Sequence, residues 1–63
     1  MSLATVDKNI RILVVDDFAT MRKVVKGCLR NLGFINIEEA EDGIKALEKL
    51  KSSEFKLIVS DWR

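Results

Sequence analysis

Three aspartates stand directly after apolar runs: Asp16 and Asp17 follow residues 10–15, and Asp61 follows residues 55–60. If those runs are neighbouring strands, their ends form one acidic pocket. Carboxylates held together repel, and at about 4 Å and an effective dielectric near 20 each pair costs about 4 kcal/mol. A divalent cation relieves that cost. Oxygen-only ligands favour Mg²⁺, with Mn²⁺ or Ca²⁺ as substitutes, over zinc. Asp61 is then placed to act as a carboxylate nucleophile toward a phosphoryl group, with charge neutralised by the metal. The plainer alternative is that each aspartate forms a turn or caps a helix, as either Asp16 or Asp17 can. Capping accounts for any one of the three more readily than for all of them at one crevice.

Composition narrows the field. The chain has 63 residues, no histidine and a single cysteine, Cys28. That excludes an imidazole base, a zinc cluster and an internal disulfide. A net charge of +1 offers no electrostatic reason to expect nucleic acid or an acidic membrane surface. No apolar run is long enough to span a bilayer, and no signal-peptide pattern opens the chain, so the expected location is cytoplasmic. A chain of this size buries only about 60% of its unfolded surface, which makes stability marginal. Residues 1–8 read as an N-terminal tail, in part a possible expression scar, and residues 9–63 as one folding unit.

Alternating elements must position the aspartates. Residues 10–15 are a continuous aliphatic run, the pattern of a strand buried on both faces. Apolar residues then recur at Met21, Val24, Val25, Cys28, Leu29 and Leu32. That is one helical stripe, with Arg22, Lys23, Lys26 and Arg30 mostly toward solvent. Gly27 lies inside this helix at a cost of about 1 kcal/mol, and Gly33 is a natural C-terminal stop. On this reading Cys28 and Met21 are core residues, and Thr20 caps the helix or sits in its first turn. Residues 35–40 read as a short strand near an edge. Asp42 reads as an N-cap to a second helix whose stripe is Ile44, Leu47 and Leu50. Residues 52–54 turn into the last strand, a buried one at 55–60. The fold class is α/β, β-α-β-α-β, with a parallel sheet. Right-handed crossovers with the third strand beyond the first give the order 2-1-3 and helices on opposite faces. Ligands of such sheets bind where strand order reverses, at the carboxyl ends, and there Asp16, Asp17 and Asp61 meet.

The segments Leu13-Val14-Val15-Asp16-Asp17-Phe18-Ala19-Thr20-Met21-Arg22, Glu39-Ala40-Glu41-Asp42-Gly43 and Val59-Ser60-Asp61-Trp62 resemble the first half of a response-regulator receiver domain. The Phe-x-x-Met-Arg continuation and the Asp-Trp ending are most similar to the CheY-like chemotaxis branch. That branch is itself a standard example of the flavodoxin-like, doubly wound order, so the order belongs to what the resemblance implies. The resemblance implies that Asp61 is the phospho-acceptor, and that Asp17 ligates Mg²⁺ directly. It makes Asp16 the acidic neighbour that holds the metal largely through water, and Arg63 the donor of a backbone carbonyl. Chemotaxis members commonly carry asparagine at the position of Arg63, so its side chain is a departure that can alter metal affinity. Trp62 is open between core residue, partner contact and lid.

The resemblance also implies partners and limits. The parent would take its phosphoryl group from a CheA-like histidine kinase and signal to the flagellar motor switch, with no nucleic acid or membrane involved. It would assist its own phosphorylation rather than act as a classical enzyme. A Mg²⁺-dependent phosphohydrolase is disfavoured, because such enzymes place a second acid two residues after the nucleophile, where this chain has Arg63. Receivers use a Ser or Thr after a fourth strand and a Lys after a fifth, and no residue here matches either. As a half-domain standing alone, the chain is expected to be impaired in phosphorylation and switching. The alternative is a structural fragment that self-associates, as a homodimer or otherwise, through an open sheet edge.

Overall fold

A computed structural model describes residues 7–60. Its elements are β1 (Arg11–Val15), α1 (Ala19–Asn31), β2 (Asn36–Ala40), α2 (Gly43–Ser52) and β3 (Leu57–Ser60). Both outer strands run parallel to β1, giving the order β2-β1-β3. The register pairs Val15 with Ala40 on one side and with Ser60 on the other. All three strands therefore finish at the same level.

Strand β1 is central because its side chains can be buried on either face. Ile12, Leu13, Val14 and Val15 are all buried. Alternation sends Leu13 and Val15 toward Ala46 of α2, beside Ala40 of β2, with Phe55 packed alongside. Ile12 and Val14 go the other way, toward Phe34, Val25 and Leu29 of α1, Ile37 and Val59. The helices cover opposite faces, as the crossover argument requires.

The ends of both helices follow local chemistry. Asp42 caps α2, its Oδ1 accepting from the Lys45 backbone N–H at 2.8 Å. Helix α1 closes in a Schellman turn: Phe34 N–H donates to Leu29 O and Gly33 N–H to Arg30 O. Gly33 takes φ 102° there, a conformation costly for any residue with a Cβ. The same turn brings Phe34 and Leu29 into one apolar cluster. The sequence reading did not single out Phe34, although an aromatic directly after a C-terminal glycine is the usual apolar partner of this turn.

The packing corrects four expectations. Of the apolar stripe on α1 only Val25 and Leu29 reach the sheet, while Met21, Val24, Cys28 and Leu32 are exposed. On α2 the buried residue is Ala46, whereas Ile44 and Leu47 are 72% and 59% exposed and Leu50 is more than a third exposed. Strand β3 is a sheet edge rather than a buried strand, with Leu57 and Ile58 exposed. Arg22 and Lys26 lie toward the sheet, not on the solvent side. The cause of the first three is shared: each helix packs chiefly over β1 or β2, so among the described residues β3 is thinly covered, Val59 being its residue packed on the core. Thr20 sits in the first turn of α1, whose N-cap is Phe18.

This packing separates two leucines that periodicity alone ranks together. Leu13→Ala should cost about 2–5 kcal/mol, enough in so small a chain to abolish a cooperative urea transition. Leu47→Ser should change stability by no more than about 0.5 kcal/mol. Equal losses would contradict the arrangement of α2.

Candidate functional site

The carboxyl end of β1 runs into a short acidic turn. Asp16 is 5% exposed and is the buried charged residue among those described. Its polar groups are engaged in three directions. Its backbone N–H donates to Ala40 O at the end of β2. Its Oδ1 accepts from the Phe18 N–H at 2.9 Å, forming a local turn. Its carbonyl oxygen accepts from Nη1 of Arg22 on α1. The turn-forming role weighed for Asp16 is therefore real. It fixes the carboxylate by holding the side chain against the backbone at the sheet's rim. Asp17, the next residue, is exposed at the same rim.

Of the residues singled out from the sequence, Asp16 and Asp17 are brought to this position. Asp61, Trp62 and Arg63 lie outside the described residues. What is described is the approach to them. Ser60 is the register partner of Val15, so β3 ends level with the residue that precedes Asp16. Among the described residues no group of three or more His, Cys, Asp or Glu is clustered for a metal. The donors at the turn are hard carboxylate oxygens, and Cys28, the chain's one thiol, is exposed on α1. That donor chemistry suits Mg²⁺ and not a thiophilic metal.

A second polar cluster sits beside the acidic turn. Glu39 of β2 accepts from Arg22 Nε and from Lys26 Nζ, each at 3.0 Å. The hydrogen bond from Lys26 is the main reason the Glu39 carboxyl titrates below its ordinary value of 4.5; Arg22 adds to this, and partial burial opposes both. On the opposite face Glu38 pairs with Lys49 of α2 at 3.1 Å. The sequence reading missed Arg22, Lys26 and Glu39. The signal was present, since Arg22, Val25 and Leu29 are spaced i, i+3, i+7 and must share the stripe that meets the sheet. An open depression of about 240 Å³ beside this cluster is lined by Arg22, Glu39, Ala40, Glu41, Lys45 and Lys49. None of these belongs to β3, so it is not the crevice expected between β1 and β3.

Comparison with known proteins decides the family. The model of the response regulator receiver domain matches residues 12–63. This chain belongs to that family. The receiver is 54% identical over 59 residues to "Chemotaxis protein CheY-3" of two Vibrio cholerae O1 strains, covering 94% of the chain and 45% of each relative. It is also 54% identical over 52 residues to "Chemotaxis protein CheY" of Pseudomonas aeruginosa, covering 82% of the chain and 42% of that protein. The receiver thus spans about half the length of the curated relatives it matches. Among its described residues no helix is long and apolar enough to cross a membrane.

Glu39 sets the expected acid response of this region. Its folded value is depressed, so its contribution is fully present above 4.5 and is lost as pH falls through the lower folded value. Glu39→Gln should therefore flatten the acid limb of a stability–pH profile below about pH 4.5. It should also weaken the salt dependence of stability there. An unchanged acid limb by circular dichroism would remove Glu39 from the account.

Proposed function

We propose that this chain is the N-terminal half of a phospho-accepting receiver in two-component chemotaxis signalling. One observation carries the reading: Val15 and Ser60 are register partners on parallel strands, and each leads into aspartate, Asp16-Asp17 after one and Asp61 after the other. Asp61 is the acceptor. A carboxylate oxygen of Asp61 attacks the donor's phosphorus, an O–P bond forms, and the bond to the leaving group breaks with its electron pair. Asp16 and Asp17, with Asp61 and the Arg63 carbonyl, would hold Mg²⁺, which supplies charge neutralisation at the phosphoryl oxygens when bound. Buried Asp16 holds its part of that ligand set in place through the Phe18 N–H and the Ala40 carbonyl.

In the whole protein the phosphoryl donor is a CheA-like histidine kinase and the output is the flagellar motor switch. The relatives' names support the chemotaxis role, and the matching family supports a response-regulator receiver. The location is cytoplasmic, and the receiver assists its own phosphorylation rather than turning over a separate substrate. The 63-residue chain on its own retains weak metal binding and is impaired in phosphorylation and switching. The direct test is incubation with Mg²⁺ and a small-molecule phosphoramidate, followed by intact mass and peptide mapping of a version extended through a complete receiver. The label should sit on Asp61 and vanish in Asp61→Asn. A label that persists elsewhere would overturn the assignment. For the 63-residue chain, Trp62 fluorescence should respond to Mg²⁺ below a concentration on the order of tens of millimolar. A flat titration would remove the retained metal site.

The exposed edge favours a second reading of the isolated chain. Leu57 and Ile58 are 41% and 47% exposed on β3, whose outer backbone groups have no strand partner among the described residues. Such an edge templates pairing with another copy. Light scattering should find the 63-residue chain dimeric or larger. A compact monomer that unfolds cooperatively would exclude this.

A further inference from the structure

The acidic turn has a support that the phosphorylation reading does not use. Arg22 sits one turn into α1, and its guanidinium makes two bonds to different strands. Nη1 donates to the backbone carbonyl of Asp16, which lies just past β1. Nε donates to Glu39 Oε1 of β2 at 3.0 Å. The Arg22 backbone N–H meanwhile donates to Phe18 O, the residue that closes the acidic turn. One residue thus holds both ends of the Asp16-Asp17-Phe18 segment, and its side chain is only 15% exposed.

We propose that Arg22 is a positioning residue for the acidic site: a strut, seated on Glu39, that sets the orientation of Asp16 by holding its carbonyl. The reasoning is geometric. A carbonyl fixed by a charged donor fixes the peptide plane between Asp16 and Asp17, and so the backbone from which both carboxylates project, while the Phe18 N–H sets the Asp16 carboxylate itself. Lysine cannot replace this function. Its single ammonium on a flexible stem presents no planar fork to span a carboxylate and a carbonyl at once. Glu39 is part of the device because it orients the guanidinium. Lys26 shares Glu39 but has no bond to the acidic turn, so it supplies the control.

This inference rests on the reading of Asp16 and Asp17 as the metal-holding pair, yet its test does not require metal to bind. The Phe18 amide, which donates to Asp16 Oδ1, reports the turn directly. In ¹⁵N-labelled chain, amide exchange at Phe18 relative to Leu13 separates local opening from global unfolding. Arg22→Met, which keeps the apolar stem, should accelerate Phe18 exchange about tenfold relative to Leu13. Arg22→Lys should accelerate it nearly as much. Lys26→Met should leave that ratio within about twofold, even where it lowers overall stability as much as Arg22→Met does. A Phe18-to-Leu13 ratio that responds equally to Arg22→Met and Lys26→Met, or that Arg22→Lys restores, would overturn the proposal. Should Arg22→Met prevent folding, Glu39→Gln serves in its place. It should raise the same ratio severalfold, and an unchanged ratio would count against the strut. A Mg²⁺ titration of the same samples reads the other proposal separately. No Mg²⁺-dependent shift at Asp16 or Asp17 in the unsubstituted chain removes the metal site while the strut stands or falls on exchange alone.

Discussion

Strand β1 is the constraint on which the rest of this structure depends. Its residues Ile12–Val15 are buried on both faces, and both other strands and both helices contact it. A run of four aliphatic residues cannot be half-solvated without leaving one face in water, at a cost of about 1.5–3 kcal/mol for each fully buried side chain left exposed. The chain therefore has to supply cover on two sides, and it does so with one helix from each crossover. Parallel pairing on both sides follows from the same demand, because each crossover helix returns the chain to the start of the sheet. The level carboxyl ends of the strands, at one of which Asp16 and Asp17 lie, are thus a consequence of burying β1.

Strand β2 shows how a marginal sheet finishes its edge. Its sequence, Asn36-Ile37-Glu38-Glu39-Ala40, puts adjacent glutamates on opposite faces. Each is claimed by the helix on its own side, Glu39 by Arg22 and Lys26 and Glu38 by Lys49. Half-exposed pairs of this kind contribute little each, with a median of about 0–1 kcal/mol. Their larger effect is on register. A one-residue slip would send Glu38 and Glu39 to the wrong helices and turn Ile37 away from the α1 face, so charge and packing reject the same error. Charged side chains on this edge also discourage pairing with another sheet, in contrast to apolar Leu57 and Ile58 on the opposite edge.

Much of this architecture was legible in the residues. The element order, the Gly33 stop and the Asp42 cap rest on chemistry within a few positions of chain, whereas the 2-1-3 order was legible through the family resemblance. The width of each buried stripe was not legible. Helical periodicity identifies which residues share a side of α1, but how many of them meet a neighbour depends on where the axis lies over the sheet. That position is tertiary information. Val25 and Leu29 meet Ile12 and Val14, whereas Val24 and Cys28, one step around, overhang. The pairing of Arg22 with Glu39 was hidden for a related reason. A basic residue is ordinarily assigned to solvent, and only the approach of β2 supplies the carboxylate that makes its near-burial favourable. Candidate residues Asp16 and Asp17 were found because they end an apolar run, and Asp61 and Arg63 lie outside the described residues.

The acidic turn joins these strands of argument. A carboxylate at a sheet's rim is ordered only where its backbone and side chain are both held, since otherwise its rotamers stay free. Asp16 is held by three bonds to two elements: its N–H donates to Ala40 O of β2, and it accepts from the Phe18 N–H at the α1 N-cap and from the guanidinium of Arg22 on α1. Each anchor is itself fixed by the burial of β1. Ala40 is the register partner of Val15, α1 is seated by Val25 and Leu29, and Arg22 is seated by Glu39. Preorganisation at the site is thus bought with packing several residues away. Substitutions in the α1–β2 contact are therefore expected to reach Asp16 through its backbone before they reach the rest of the core.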